Sequence, residues 1–282
     1  MIKNILVALD GSEHGTVATS TAIDLAKRLD GHVNGLHVMD LWLVRGSFLH
    51  DVNGMLGIEP QLHMTDTVES FLSSKAATVV EAFHSRCRQA GVAASAEIVT
   101  DLVHQAISTE ATRNDLIVIG ARGASLDGGQ GLVGRHLPKQ LLGDLPVPML
   151  VTTRSQSALS HGVVAFDGSP GSYRALAMGA QLAARGQMGL SVLWVDSGGL
   201  EYEEQDALER AKRYLGPYKI DAAYHSRKGI AVEELTGWVQ ELGADLLLTG
   251  SHGPSRLREF LLGHLPGQLI EKGLGVPLLV CP

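Results

Sequence analysis

Leu116-Ile-Val-Ile-Gly120-Ala-Arg-Gly123 and Leu246-Leu-Leu-Thr-Gly250-Ser-His-Gly253 are two copies of one pattern, a short apolar run that ends at a glycine, with a second glycine three residues later. Each run predicts a strand that is buried on both faces, because four consecutive apolar or β-branched residues lack the alternation of a half-exposed strand. Glycines at the end of such a strand let the backbone turn sharply and bring bare N–H groups close to an anion. A third glycine follows each copy, Gly134 and Gly263. The pattern therefore predicts an anion-binding loop, most simply for phosphate, after each strand.

The composition of the 282-residue chain indicates a folded protein and excludes several classes of partner. Hydrophobic residues make up 45% and charged residues 19%, which argues against disorder. A net charge of -7 provides no basic face, so we expect no nucleic-acid partner. No apolar run approaches the roughly 18 residues that span a bilayer, so we expect no membrane insertion. Cys87 and Cys281 have the spacing of neither a disulfide pair nor a metal site. The first residues enter a strand without a signal-peptide cleavage region. Together these observations predict a cytoplasmic location.

The first half of the chain is repeated in the second. Leu6-Val-Ala-Leu-Asp10-Gly-Ser12 returns as Gly162-Val-Val-Ala-Phe-Asp167-Gly-Ser169, and the closing run Pro148-Met-Leu-Val151 returns as Pro277-Leu-Leu-Val280. Strand patterns alternate with helical patterns throughout both halves. This arrangement predicts an α/β fold of two homologous domains, 1–154 and 160–282, joined by a polar segment.

The periodicity predicts similar elements in both halves, with one difference. In the first half we expect strands at 5–9, 33–38, 94–99, 116–119 and 148–152, and helices at 18–29, 68–89, 103–112 and 138–142. The difference is an irregular stretch, 40–66, which the second half shortens to about 197–204. A loop of that length is usually a lid, a partner-binding segment or mobile. Its Trp42, Phe48 and Met55 make it a candidate for contacts between chains; the alternative is a loop folded on its own sheet.

The predicted strands place Asp10 and Asp167 at a ligand-binding position. Strands separated by helices form parallel sheets, and ligands bind beyond their carboxyl ends where the strand order reverses. If the first strand of each half neighbours the fourth, Asp10 meets Gly120 and Asp167 meets Gly250 across a crevice. An aspartate there can accept hydrogen bonds from ribose hydroxyls, while glycine amides hold phosphates. The alternative is that each aspartate shapes a turn and caps the following helix.

The combined motifs resemble the universal stress protein family in its tandem two-domain form. They are the Val-Ala-x-Asp-Gly-Ser opening and a Gly-x2-Gly-x9-Gly loop after the fourth strand, and the resemblance covers nearly the whole chain. It implies two repeated, open, parallel five-stranded sheets of order 3-2-1-4-5 with helices on both faces, dimerisation along the fifth strand and, in a subset of members, ATP binding. Carried over residue by residue, it implies that ATP, with Mg, is contacted by Asp167, Gly250, Gly253 and Gly263 in the second half and by Asp10, Gly120, Gly123 and Gly134 in the first.

Both halves depart from the family pattern at the hydroxyl residue that follows the last glycine. Arg135 occupies this position in the first half and His264 in the second. Either side chain can replace the hydroxyl as a phosphate donor, or it can mark a lost site. The second half keeps nine residues between Gly253 and Gly263, whereas ten separate the corresponding glycines of the first half. We therefore expect nucleotide in the second half.

Two functions follow from these patterns. The first is a cytoplasmic adenine-nucleotide-binding protein with a sensing or regulatory role in stress, and at most slow ATP hydrolysis, because neither a nucleophile elbow nor a metal-binding cluster is evident. The second is a scaffold of the same fold that binds no nucleotide and acts through dimerisation and partner contacts. Pairing the two closing strands within one chain would protect both sheet edges. We expect a homodimer of such chains.

Overall fold

A computed structural model describes residues 1–40, 62–123, 132–143, 145–196, 201–251 and 265–282. At the starts of three helices, residues 62–68, 132–136 and 201–205, it describes the backbone alone. Most of the irregular stretch predicted in the first half, with Trp42, Phe48 and Met55, lies outside the described residues. The prediction that this stretch mediates contacts between chains therefore stays a prediction.

The elements repeat in the same order in both halves. The first half forms β1 (Asn4–Ala8), α1 (Glu13–Leu29), β2 (His32–Asp40), α2 (Leu62–Ala90), β3 (Ala94–Asp101), α3 (Val103–Ala111), β4 (Leu116–Gly120), α4 (Leu132–Leu141) and β5 (Met149–Thr152). The second half forms β6 (His161–Ala165), α5 (Pro170–Gly186), β7 (Gly189–Asp196), α6 (Glu201–Leu215), β8 (Ala222–Lys228), α7 (Ala231–Glu241), β9 (Leu246–Gly250), α8 (Leu265–Lys272) and β10 (Leu278–Cys281).

All ten strands belong to one sheet with the order β3-β2-β1-β4-β5-β10-β9-β6-β7-β8. Within each half the strands are parallel and follow the order 3-2-1-4-5, as the family resemblance implies. The two halves join where β5 and β10 pair antiparallel, with Leu150 opposite Leu279. The two predicted five-stranded sheets are therefore the halves of one continuous sheet.

Helices cover both faces of this sheet. One face carries α1, α2, α5 and α6 over a single apolar cluster that runs through both halves. The other face carries α3 and α4 over the first half and α7 and α8 over the second. Because β4 and β9 lie in the middle and are covered on both sides, the four residues before each terminal glycine are all buried. The outer strands β3 and β8 alternate between more and less exposed residues.

In each half, an aspartate forms hydrogen bonds with the backbone at the start of the first strand. Asp115 accepts hydrogen bonds from the backbone N–H groups of Lys3 and Asn4, at 2.7 and 2.9 Å. Asp245 accepts from the corresponding groups of Ser160 and His161, each at 2.8 Å. Each aspartate thus ties the residue before the fourth strand to the beginning of the first strand, and fixes how these two central strands align.

Two helices of the first half, α2 and α4, begin six residues earlier than the sequence pattern predicts, and α1 begins five residues earlier. The helix expected at 68–89 spans Leu62–Ala90, so the last part of the expected irregular stretch is helical. The short helix expected at 138–142 is α4, Leu132–Leu141, which contains Pro138. Both extensions precede the apolar periodicity from which the helices were predicted. Among the described residues, no helix combines the length and apolar character that crossing a membrane requires.

Candidate functional site

The carboxyl ends of the first and fourth strands lie side by side in each half. Because β1 pairs with β4, Asp10 lies two residues beyond β1 at the sheet edge where β4 ends at Gly120. In the second half β6 pairs with β9, which brings Asp167 to the edge where Gly250 ends its strand. The first crevice is defined as the space between Asp10 and Gly120, and the second crevice as the space between Asp167 and Gly250. The strand order reverses at both points.

In the first crevice, Asp10 shapes the turn that leads into α1. Its Oδ1 accepts hydrogen bonds from the backbone N–H and the hydroxyl of Ser12, at 2.9 and 2.8 Å. Ser12 itself caps α1, because its Oγ accepts a hydrogen bond from the N–H of Gly15 at 2.9 Å. A Cβ on Gly15 would lie 2.0 Å from Asp10 Oδ1, so only glycine fits beside this carboxylate. Asp10 therefore forms the turn, and the capping role falls to Ser12.

The first turn of α1 packs directly on the end of β4. A Cβ added to Gly120 would lie 2.7 Å from the Cβ of His14 and 2.9 Å from its carbonyl carbon. The His14 ring nitrogen Nδ1 is buried, and none of the described residues forms a hydrogen bond with it. The first loop glycine is therefore needed for close packing between helix and strand, and a histidine occupies the space next to it.

The second crevice repeats the turn but replaces the histidine. Asp167 Oδ1 accepts a hydrogen bond from the N–H of Ser169 at 2.9 Å, and Ser169 caps α5 by accepting from the N–H of Ser172 at 3.2 Å. The residue that meets Gly250 is Gly171, whose carbonyl carbon would lie 2.6 Å from an added Cβ. The nearest described atoms at Gly250 are therefore all backbone atoms, whereas the nearest atom at Gly120 is the Cβ of His14.

The turn glycines also differ in their surroundings. Gly11 and Gly168 both have a positive φ, +74° and +77°, which favours glycine. Beside Gly11, the Cγ2 atom of Val79 from α2 lies 3.1 Å from where a Cβ would be, whereas no heavy atom of the described residues lies within 4 Å of that position at Gly168. Among the described atoms, therefore, none occupies the space above the second turn that Val79 of α2 occupies above the first.

The second strand of each half carries a different ring-bearing side chain near its carboxyl end. Matching strand registers place His37 of β2 and Trp194 of β7 at corresponding positions. His37 is buried, and its Nδ1 donates a hydrogen bond of 2.6 Å to the carbonyl oxygen of Leu9. Burial lowers the pKa of His37, with a smaller contribution from the nearby charge of Lys75. Trp194 is partly exposed, and its buried Nε1 forms no hydrogen bond within the part of the chain that the structure describes.

Comparison with known proteins identifies the family. The sequence model of the universal stress protein family matches residues 1–153 and again residues 161–282. The chain belongs to the universal stress protein family. Universal stress protein Slr1230 of Synechocystis sp. is 24% identical to it over 287 residues, which cover 99% of both chains. The two matches confirm the tandem form that the motifs indicate.

Solved structures confirm the fold of this universal stress protein. A universal stress protein from Archaeoglobus fulgidus DSM 4304 superposes with a TM-score of 0.76 at 21% identity, over 99% of this chain and 95% of that chain. A candidate universal stress protein from Pseudomonas aeruginosa UCBPP-PA14 gives 0.66 at 16% identity, over 99% and 93%. At these identities the likeness concerns the fold alone.

The remaining residues implied by the family motif lie mostly in the loops after β4 and β9. Gly123 follows the described end of β4, and Arg122 beside it is exposed. Gly134 and Arg135 belong to the first turns of α4, of which the backbone alone is described. Gly253, Gly263 and His264 lie outside the described residues. The predicted phosphate contacts in both halves therefore stay predictions.

Sequence patterns missed the residues that distinguish the two crevices. His14 and Gly171 lie four residues after the two aspartates, and the aligned repeat shows the exchange, but its meaning depends on how a helix packs on a distant strand. His37 and Trp194 each lie at the end of the second strand, where an apolar pattern alone reads as core. Aligning the halves residue by residue is the signal that finds all four.

Proposed function

We propose that the second crevice of this universal stress protein binds an adenine nucleotide, ATP with Mg, and that the chain acts as a sensor or regulator in a stress response. The observation that supports this choice is the turn at Gly168, beside Asp167, where no described atom lies within 4 Å of an added Cβ. A carboxylate at a strand-order reversal is well placed to accept hydrogen bonds from ribose hydroxyls, and the glycines after the fourth strand can offer N–H groups to phosphates.

The contrast between the crevices supports one nucleotide per chain. In the first crevice, Val79 packs on Gly11 and the Cβ of His14 lies beside Gly120. In the second, Gly171 replaces the histidine and the space beside Gly168 is free of described atoms. The glycine spacing favours the same half, because nine residues lie between Gly253 and Gly263, as the family pattern requires. We propose that the first half serves mainly as a structural partner of the second.

The proposed location is the cytoplasm. Cys87 and Cys281 are both buried and unpaired. Burial raises the pKa of the Cys87 thiol to about 11 and that of Cys281 to about 12, so neither thiol is ionised near neutral pH. Unpaired, inert thiols suit a reducing compartment.

Calorimetric titration with ATP and Mg tests the proposal, and the two aspartates supply a matched pair of variants. Asp167→Asn keeps Oδ1 as an acceptor for Ser169 and so preserves the turn, but it converts the other carboxylate oxygen into an NH2 donor. We expect this change to weaken ATP binding by about 10- to 100-fold, because a hydrogen bond to a charged group contributes about 1.5–3 kcal/mol. Asp10→Asn makes the same exchange in the first crevice and should leave affinity unchanged.

Four outcomes distinguish the alternatives. A stoichiometry near one per chain, with loss only in Asp167→Asn, supports the proposal. Loss only in Asp10→Asn would move the site to the first half, and equal loss in both would indicate two occupied sites. Absence of heat and of nucleotide released on denaturation would reject nucleotide binding.

The second candidate function is a scaffold that acts through a homodimer and partner contacts. The contact of Val79 with the first turn and the absence of a hydroxyl at Arg135 and His264 favour it. Because β5 and β10 pair with each other, dimerisation along the fifth strand is already used inside the chain, and a homodimer needs a different surface. Light scattering should give twice the chain mass for a homodimer. Retained dimerisation together with no nucleotide binding would favour this function over the first.

A further inference from the structure

β8 is one of the two outermost strands of the sheet, and in the described part of the chain its one neighbour is β7. The N–H of Gly229 donates to the carbonyl oxygen of Asp196 at 3.0 Å, which shows how the backbone groups of β8 are directed. Because these groups alternate between the two sides of a strand, those of Ala222, Tyr224 and Ser226 point away from β7. β8 therefore presents a row of backbone donors and acceptors at the edge of the sheet.

The face of β8 that lies under α7 carries fixed charge. The rings of His225 and Trp238 lie 4.8 Å apart, and the guanidinium of Arg227 lies 4.2 Å from the centroid of Trp238. Arg227 also bonds Glu241 at 2.8 Å, which holds its side chain in place. Asp221 is exposed immediately before the strand, and the alternation of side chains places it on this same face. An anion thus lies at the start of the strand and a positioned cation near its end.

We propose that β8 is the surface through which two copies of this chain associate, by antiparallel pairing centred on Tyr224. In this register Tyr224 lies opposite the partner's Tyr224, and Ala222 lies opposite the partner's Ser226. Each of these pairs exchanges two N–H···O bonds, so the outward backbone groups of all three residues are satisfied. The inference rests on the homodimer of the second candidate function and is independent of nucleotide binding.

Charge complementarity selects this register. Asp221 lies opposite the partner's Arg227, and the two-fold symmetry repeats this ion pair. Both are non-hydrogen-bonded pairs, in which side chains of opposite strands come closest. A slip of two residues is the smallest that keeps outward backbone groups facing each other. In one direction it sets His225 against the partner's His225, and in the other it sets Arg227 against the partner's Lys219.

The other edge strand, β3, does not offer the same complementarity. Its sequence, Ala94–Asp101, contains Glu97 and Asp101 but no basic residue, so pairing of β3 with its own copy forms no ion pair. Pairing of β8 with the partner's β3 could match Arg227 with the partner's Glu97. That contact is heterologous, however, and it would leave an edge for further copies at each end of the assembly. Self-pairing of β8 closes after two copies.

Two matched proline variants test the backbone contact. Ser226→Pro removes an outward N–H of β8 and leaves the bonds to β7 intact, and proline is tolerated at such edge positions. Light scattering over about 1–200 µM should show the wild type approaching twice the chain mass, while Ser226→Pro stays at one. Thr100→Pro is the control, because the bond from the Val33 N–H to the Ala93 carbonyl indicates that the Thr100 N–H points outward from β3. It should dimerise as the wild type does.

A disulfide across the interface tests the register. Ala223 lies opposite the partner's His225, in a non-hydrogen-bonded pair whose spacing suits a disulfide. Under mild oxidation, a mixture of Ala223→Cys and His225→Cys proteins should form a covalent dimer that contains one of each. Either variant alone should form little, because its cysteines lie opposite each other only in a slipped register. Cys87 and Cys281 are buried with pKa values of about 11 and about 12, so they supply no reactive thiol.

The outcomes separate this inference from the proposed functions. A dimer that Ser226→Pro retains in full would keep the homodimer and overturn β8 as its surface. Covalent dimers of either cysteine variant alone would overturn the register, and masses above two chains that Thr100→Pro reduces would indicate pairing of β8 with β3 instead. A wild type that stays at one chain mass would reject the homodimer and this inference together, while titration with ATP reports separately on nucleotide binding. If Ser226→Pro does not fold, the cysteine mixture decides.

Discussion

The two halves of this universal stress protein share one framework and differ at the carboxyl ends of its strands. Both use an Asp-Gly-Ser turn, a serine cap and a glycine pressed against the first turn of a helix. Both tie the first strand to the fourth through an aspartate, Asp115 or Asp245. The differences, His14 against Gly171 and His37 against Trp194, occur at equivalent positions of the two halves, near the strand ends that border the crevices.

This difference shows at which positions the shared fold requires a particular residue type. The shared residues satisfy backbone groups or permit close backbone contact, so few alternatives fit there. Among the described residues that differ, His37 alone satisfies a backbone group, because its ring donates a hydrogen bond to the carbonyl oxygen of Leu9. The halves are therefore equivalent in architecture and unequal in the chemistry they present.

Adding a methyl group to the strand-end glycines should give the largest effect on stability. A Cβ on Gly250 meets the backbone of Gly171 at 2.6 Å, and one on Gly120 meets the Cβ of His14 at 2.7 Å. We expect Gly250→Ala to lower the free energy of unfolding by about 3 kcal/mol and Gly120→Ala by about 2 kcal/mol, since a backbone segment yields less than a side chain. Urea denaturation measures both.

Gly237→Ala in α7 is the control for these glycine substitutions. No heavy atom of the described residues lies within 4 Å of its added Cβ, and alanine is a better helix former, so stability should rise by about 0.5–1 kcal/mol. A smaller loss for Gly250→Ala than for Gly120→Ala would contradict the idea that the second crevice is built from backbone contact.

Removing the helix caps should have a medium effect that again differs between halves. Ser12 both accepts from Gly15 at 2.9 Å and donates to Asp10, while Ser169 accepts from Ser172 at the longer distance of 3.2 Å. We expect Ser12→Ala to cost about 1–2 kcal/mol and Ser169→Ala about 1 kcal/mol, as thermal unfolding would show. Ser12→Thr, which keeps the hydroxyl, is the control and should recover most of the loss. Equal costs would mean that the difference in cap distance has no effect on stability.

The smallest expected effect is a pH dependence that comes from His37. Because burial lowers its pKa in the folded chain, the unfolded chain binds a proton more readily, and stability is present above about pH 6.5 and decreases as the pH falls below that value. His37→Asn should therefore flatten the change in urea midpoint between pH 7 and pH 5. His225→Asn is the second-half comparison, and it should act less, because His225 is less buried. If His37→Asn leaves the change in urea midpoint between pH 7 and pH 5 unaltered, then other titratable groups cause that change.

Sequence patterns predict the framework well because its determinants are local. Four-residue apolar runs such as Leu116–Ile119 identify the central strands, and the repeated Asp-Gly-Ser identifies the turns after β1 and β6. The family motif adds the 3-2-1-4-5 order, which the structure confirms. The early start of α2 at Leu62 was missed, because its first turns lack an apolar stripe and helix-forming residues there compete with loop signals such as Gly57 and Pro60.

The character of each crevice is harder to predict because it depends on contacts between distant parts of the chain. His14 meets Gly120 across 106 positions, and the packing of α1 on β4 that brings them together leaves no periodic trace. The role of Asp10 was only half predicted: the turn is present, but Ser12 provides the cap. A short side chain two residues away satisfies the helix end better than the aspartate can.

The antiparallel pairing of β5 with β10 has a consequence for how the protein meets its surroundings. Because strands within each half are parallel, the reversal at this central pair sends the carboxyl ends of the two halves to opposite margins of the sheet. The two crevices therefore open away from each other, and no single small molecule can bridge them. A partner that docks over one margin leaves the other accessible. Any coupling between the two crevices must pass through the four central strands, β4, β5, β10 and β9.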